Sequence, residues 1–245
     1  MPEPEPHRSP AERREALKQL LVEARRCARC SDLAASRKTV VFGSGNANAE
    51  LMFVGEAPGA SEDEQGLPFV GRAGKLLDQL LAEIGMERAD VFVCNTLKCR
   101  PPGNRDPLPL EIENCQDYLR RQVDLIEPAV ICTLGNFSTK LLRDDPTGIT
   151  RLHGKPEIIT VGSRAVRLYP IYHPAAALYT PRMLETLRED FARLPELLAA
   201  GAPEQPFDAP EIGPDEIAAM RASAEAEEVP ATAEETRAPD QMGLF

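Results

Sequence analysis

The chain is defined first by what it lacks. It has no apolar run long enough to span a bilayer, and its opening residues, MPEPEPHRSP, hold no apolar core like that of a secretory signal. A membrane role is therefore not expected. A cytoplasmic location is, and there the six cysteines are unlikely to form a disulfide framework. Positive charge is also scarce: the formal net charge is −11, which taken whole argues against a polyanionic partner. The distribution changes that reading. Residues 201–245 hold eleven acidic and two basic side chains, a net of −9, so only −2 of the −11 falls on residues 1–200. A nearly neutral body leaves room for a local basic loop that meets nucleic acid.

Between these absences runs a β-loop-α rhythm. SPAERREALKQLLVEARRC reads as a helix with Ser9 as cap, Pro10 in the first turn and Glu12 completing a capping box. Leu17, Leu20, Leu21 and Ala24 form its apolar stripe. ELMFVG (50–55), VFVCNT (91–96), AVICTLG (129–135) and VRLYPIYHP read as core strands, with EIITV as the hairpin partner of the last. A Gly/Pro/acid-rich loop, EAPGASEDEQGLPFVGRAG, precedes a helix carrying Leu76, Leu77, Leu80, Leu81 and Ile84. Leu110 to Glu127 forms another helix, Asn136–Leu142 a short one, and PRMLETLREDFARLPELLAA a closing one. The expected fold is three-layer α/β/α around a central, mostly parallel four-stranded sheet. In such sheets ligands bind beyond the carboxyl ends of the strands. That rule selects Gly55-Glu56, Asn95, Gly135-Asn136 and His173-Pro174. The expected organisation is a disordered 1–8, one domain over 9–200, and an acidic tail over 201–245 too poor in large apolar residues to fold alone.

Cys27-x-x-Cys30 has chelate spacing. A second Cys-x-x-Cys is lacking, so a zinc ribbon is disfavoured, and the pair follows a helix rather than the strand of a thioredoxin-like unit. Cys94 and Cys132 lie within apolar strands and read as buried fillers. Cys99, between Lys98 and Arg100, and Cys115, near a helix start, lie outside strands. Cys27, Cys30, Cys99 and Cys115 together supply four thiolates, which suit tetrahedral zinc or a cubane iron–sulfur cluster, and spacing does not choose between them.

GEAPGASEDEQGLPFVGRAG, NTLKCRPPGNRDP and HPAAAL, in this order downstream of the Cys-x-x-Cys, resemble the family 4 uracil-DNA glycosylases, the iron–sulfur branch of the uracil-DNA glycosylase superfamily. The likeness runs from about Cys27 to Leu198. It implies hydrolysis of the bond between uracil and deoxyribose in single- or double-stranded DNA, at the start of base excision repair. It implies a [4Fe-4S] cluster on Cys27, Cys30, Cys99 and Cys115, with a structural role. It also implies that the Gly55-Glu56-Ala57 segment contacts extruded uracil, that Phe69 stacks on it, and that His173 donates toward its O2. Asn95 has one donor and one acceptor end, so it can read uracil N3–H and a carbonyl together. Catalysis is assigned to Glu56, Asn95 and His173. The best-known members of the superfamily place an Asp where this chain has Ala57. Glu56 is therefore the expected base, with Glu62 and Asp63 as outside candidates. His153 stands where similar sequences suggest Arg, and it is read as a backbone contact or as neutral variation. A branch that traps uracil-DNA covalently uses a loop His, and RPPGNRDPLPLEIENC has none.

For DNA the candidates are Lys98, Arg100, Arg105, the helix start after Gly71, and HPAAALY, with Leu178 as a wedge or a core contact. Gln241-Met-Gly-Leu244-Phe245 resembles the short Q-x-x-L-F peptides that dock on the replication sliding clamp. The chain is expected to act as a monomer in the bacterial cytosol, associated with the nucleoid. The alternative is a non-catalytic uracil-DNA or clamp-binding adaptor on the same fold; a third reading is a zinc-stabilised nucleotide-binding protein.

Overall fold

Five-residue apolar strands with both faces buried decide the architecture. The computed structural model describes residues 8–206. In chain order the elements are α1 (Pro10–Arg25), α2 (Ser31–Ser36), β1 (Ser44–Gly45), β2 (Leu51–Gly55), α3 (Ala60–Gln65), α4 (Arg72–Glu83), β3 (Phe92–Asn95), α5 (Pro109–Ile126), β4 (Val130–Leu134), α6 (Asn136–Arg143), α7 (Ile149–Leu152), β5 (Glu157–Val161), β6 (Arg164–Ile171), α8 (Pro174–Ala177), α9 (Pro181–Ala192) and α10 (Leu194–Ala199). Along β2, Leu51 and Phe53 join the core beneath α4 and α9, while Met52 and Val54 join the core beneath α1 and α5. This is the period-2 alternation of a strand covered on both sides. Each large apolar side chain so buried contributes about 1.5–3 kcal/mol.

The sheet has six strands in the order β1-β3-β2-β4-β6-β5. Its inner four, β3, β2, β4 and β6, are parallel, and β1 and β5 pair antiparallel at the edges. The four parallel strands are those expected; the two-residue β1 is an addition that the sequence pattern is too short to show. Ser9 caps α1 through the capping box, with Ser9 N–H donating to Glu12 at 2.8 Å.

Two expectations need correcting. The acid-rich loop after β2 contains a helix, α3, whose Ala60, Glu62, Glu64 and Gln65 are good helix formers and which ends at Gly66 in the left-handed conformation (φ 73°). The closing helix is two helices, α9 and α10, because Pro195 lacks the N–H and the room to continue an α-helix across Arg193. Of the expected disordered start only Arg8 is described, and of the expected acidic tail only residues 201–206, where Gln205 is buried and pairs with the Ala165 backbone; residues 207–245, with the peptide Gln241, Leu244, Phe245, lie outside the described residues.

Asp63 on α3 is buried and accepts from Lys38 N–H at 3.0 Å and Thr39 N–H at 3.3 Å, so α3 anchors the segment that follows α2. Its carboxylate is thereby occupied, and the structure removes it as a candidate base. Asp63→Ala leaves two backbone donors without their acceptor and is predicted to lower unfolding free energy by about 2 kcal/mol in urea melts.

Candidate active site

β2 is flanked by β3 on one side and by β4 on the other. The chain runs from β2 to β3 and later returns to the opposite side of β2, and such a reversal opens a crevice beyond the strand ends. Gly55 ends β2 in register with Asn95 at the end of β3. Gly135 and His173 follow β4 and β6. A groove of about 660 Å³ lies here, its lining including Glu56, Asp106, Gly135, Asn136, Lys140 and His173.

Phe69 and Asn95 are absent from that lining but form the adjoining wall. A β-carbon on Gly55 would meet Asn95 Oδ1 at 2.5 Å and Phe69 Cζ at 2.7 Å, so both side chains rest on bare backbone. The Phe69 ring also stacks on His173, with centroids 5.6 Å apart and planes at 27°. Phe69 has φ 53°, a left-handed conformation that costs a bulky residue about 1–3 kcal/mol. Two features hold it there. Its carbonyl lies against α4 so closely that a β-carbon on Gly74 would be 1.6 Å from the oxygen. The Glu62 carboxylate accepts from Val70 N–H and Gly71 N–H, each at 3.0 Å. Glu62 thus braces the Phe69 loop instead of serving as a base. It also occupies the amide of Gly71, the residue just before the helix start that was expected to meet phosphate. Sequence reading missed this brace; the glycines at 71 and 74 just beyond Phe69 were the available signal.

His173 Nδ1 accepts from Ala175 N–H at 3.1 Å, so in the neutral ring the proton sits on Nε2. Burial drives its pKa down to about 4, against the opposing pull of the nearby Glu62 charge. The ring is therefore a neutral Nε2–H donor at physiological pH. Burial, and then the negative charge of Asp106, raises the pKa of Glu56. Asn95 is 2% exposed, and its side-chain amide has no protein hydrogen-bond partner among the described residues. A buried amide left open in this way suits a ligand with complementary groups. Ala57 is half-buried beside Glu56.

The four candidate cysteines also come together. The ionisation of Cys99 responds to Cys27 and Cys30, and that of Cys115 to Cys99 and Cys27. Each sulfur has a polar neighbour: Tyr118 hydroxyl at Cys27, Asn114 Nδ2 at 3.6 Å from Cys30, Arg37 Nη1 at 3.1 Å from Cys99, and Lys98 N–H at 3.3 Å from Cys115. Burial pushes the Cys115 thiol up to about 11, an environment that disfavours a bare thiolate. Among the described residues no group of three or more His, Cys, Asp or Glu side chains is placed to hold a metal ion as it stands. Cys94 and Cys132 are fully buried on opposite faces of the sheet, as fillers.

The expected DNA contacts divide. Lys98 is 2% exposed and donates inward, to Asn95 O at 2.7 Å and Gln122 Oε1 at 2.6 Å, so it does not face a phosphate. Arg105 is engaged by both oxygens of Glu111, at 2.9 and 2.6 Å, because that carboxylate also caps α5 at Leu108 N–H. Among the described residues Arg100 bonds only Asn104 Oδ1, at 2.7 Å in an exposed position. Leu178 packs half-buried against the core, and the exposed side chain at that corner is Tyr179, with Arg72 over its ring. His153 turns to Asp190, Nδ1 to Oδ2 3.2 Å, and tilts on the Tyr172 ring, so it is an internal anchor.

The depressed pKa of His173 has a consequence for stability. Between about pH 4 and the ordinary histidine value of 6.5, the unfolded chain binds a proton that the folded chain does not. Stability from this group is full above 6.5 and is lost as pH falls toward 4. Unfolding free energies of His173→Gln are predicted to fall less steeply than those of the parent over that window. Parallel slopes contradict the assignment.

A family profile for the uracil DNA glycosylase superfamily matches residues 42–196, which hold every strand from β2 to β6 and the whole wall around Gly55. A type-4 uracil-DNA glycosylase of Archaeoglobus fulgidus is 45% identical over 193 residues, 77% of this chain and 96% of that protein. One from Sulfurisphaera tokodaii is 46% identical over 188 residues, 75% and 85% of the two chains. A type-5 uracil-DNA glycosylase of Pyrobaculum aerophilum is 29% identical over 199 residues, 68% and 87%. With strand order, site position and these likenesses in agreement, the chain belongs to the uracil-DNA glycosylase superfamily and stands with its type-4 members.

Proposed function

We propose that the protein is a uracil-DNA glycosylase that extrudes uracil from DNA and hydrolyses its N-glycosidic bond. The observation that carries this reading is the wall on Gly55: an aromatic face, an unpartnered buried amide and a neutral imidazole donor on adjoining strand ends. Extrusion costs a few kcal/mol, least at a mismatch. Phe69 then stacks on the base, and Asn95 takes uracil N3–H and a ring carbonyl, a pattern that cytosine lacks. As the N1–C1′ bond breaks, its electron pair leaves with uracil. His173 Nε2–H donates toward O2, where negative charge develops. Glu56 faces the cationic sugar, and its raised pKa suits it to take a proton from the water that adds at C1′.

Cys27, Cys30, Cys99 and Cys115 would hold a [4Fe-4S] cluster, which supplies a structural fastening between the segment after α1 and the loop after β3. The fit rests on four soft donors with a polar hydrogen beside each sulfur. Arg100 and Arg105, with Tyr179 and Arg72, form the DNA-facing set, in place of the inward Lys98 and the core-packed Leu178. On the sequence alone, Gln241, Leu244 and Phe245 dock on the sliding clamp, and the protein works as a monomer in the cytoplasm at the nucleoid.

The test is a uracil-containing oligonucleotide, incubated with the protein and treated with alkali. Wild type is expected to cut at uracil, and Asn95→Ala with His173→Ala to be slower by at least about 100-fold, the scale of losing an oxyanion donor. No scission by wild type, or undiminished scission by the double variant, overturns the reading and favours the adaptor. Cys99→Ser, purified without oxygen, is predicted to lose visible iron–sulfur absorbance and thermal stability together. A variant that keeps the absorbance and loses only turnover contradicts the structural role.

A further inference from the structure

Lys98 is a lysine spent entirely inside the protein. It is 2% exposed, and its amino group donates to two neutral oxygens, the Asn95 carbonyl at 2.7 Å and Gln122 Oε1 at 2.6 Å, beside the Cys94 thiol. Gln122 is itself fixed, donating to Phe42 O at 2.9 Å. Burying a cation without a carboxylate is expensive, and a Met or Leu of similar volume would fill the same space more cheaply. Stability alone therefore does not account for the residue.

Its two ends do. The Lys98 N–H donates to Cys115 Sγ at 3.3 Å, and the Lys98 charge bears on that thiol. Its carbonyl accepts from Val41 N–H at 2.8 Å, which holds the peptide chain in place. The side chain then folds back to grip the carbonyl of Asn95, the residue whose amide rests on Gly55. One residue thus spans the distance between the cysteine set and the base-reading amide. Four thiolates holding a metal centre would make that end anionic, and a buried cation would be the matching counter-charge.

We propose that Lys98 is a positioning residue that couples the cysteine site to Asn95, so that loss of the former loosens the grip on uracil. This rests on the uracil-DNA glycosylase reading above. Lys98→Met removes the grip while keeping the volume. It is expected to lower single-turnover kcat/KM on a uracil oligonucleotide about tenfold, the scale of one charge-assisted hydrogen bond. In an Asn95→Ala background the same change is expected to do nothing further, because residues acting as a unit are non-additive. Free-uracil binding, measured by calorimetry, gives a second cycle: Cys115→Ala weakens binding in the wild-type background and adds nothing to Lys98→Met. Where Lys98→Met does not fold, Gln122→Met breaks the same link and takes its place in both cycles. Additive effects in either cycle overturn the coupling. An inactive wild type would instead overturn the activity itself, so the two failures are distinct.

Discussion

No side chain fits at Gly55. A single added carbon would press within 2.5 Å of Asn95 and 2.7 Å of Phe69, and the rest of the site is organised around that bare stretch of backbone. The parallel register of β2 and β3 brings Asn95 level with it. Phe69 is forced over it by a left-handed backbone that Glu62 and Gly74 hold in place. His173 completes the arrangement by stacking on the same ring. The surroundings over-determine the Phe69 conformation, as expected where backbone strain serves a binding site.

Burial sets the chemistry of the groups around that wall. It keeps the His173 imidazole neutral, with Ala175 N–H choosing the tautomer. It raises the pKa of Glu56, with Asp106 adding to the effect. It also raises the thiol of Cys115, which keeps that sulfur protonated in the absence of a partner charge. The same cause, desolvation, therefore acts at both ends of the loop that follows β3. Lys98 lies between them with its charge turned inward.

The apolar runs made the four parallel strands legible, since both-face burial leaves nearly continuous hydrophobic stretches. The strand ends mark Gly55, Asn95, Gly135 and His173 in the sequence itself. The helix α3 was hidden because its acidic composition reads as loop, although Gly59 and Gly66 bracket it. The break between α9 and α10 was hidden by a continuous apolar stripe across Pro195. Side-chain direction was the harder matter. A lysine in a basic, proline-rich loop reads as a phosphate contact, and only its partners reveal that it is buried. Arg105 differs, since a carboxylate six residues on engages both of its arms while the side chain stays partly exposed. The positive φ of Phe69 has no sequence signature of its own in an aromatic residue.

The most direct test of the account is a structure with uracil bound. The expected result is the base stacked on Phe69, N3–H and a carbonyl on the Asn95 amide, and O2 within about 3 Å of His173 Nε2. Uracil found in the groove toward Lys140 and Asp145, away from Phe69 and Asn95, would contradict it.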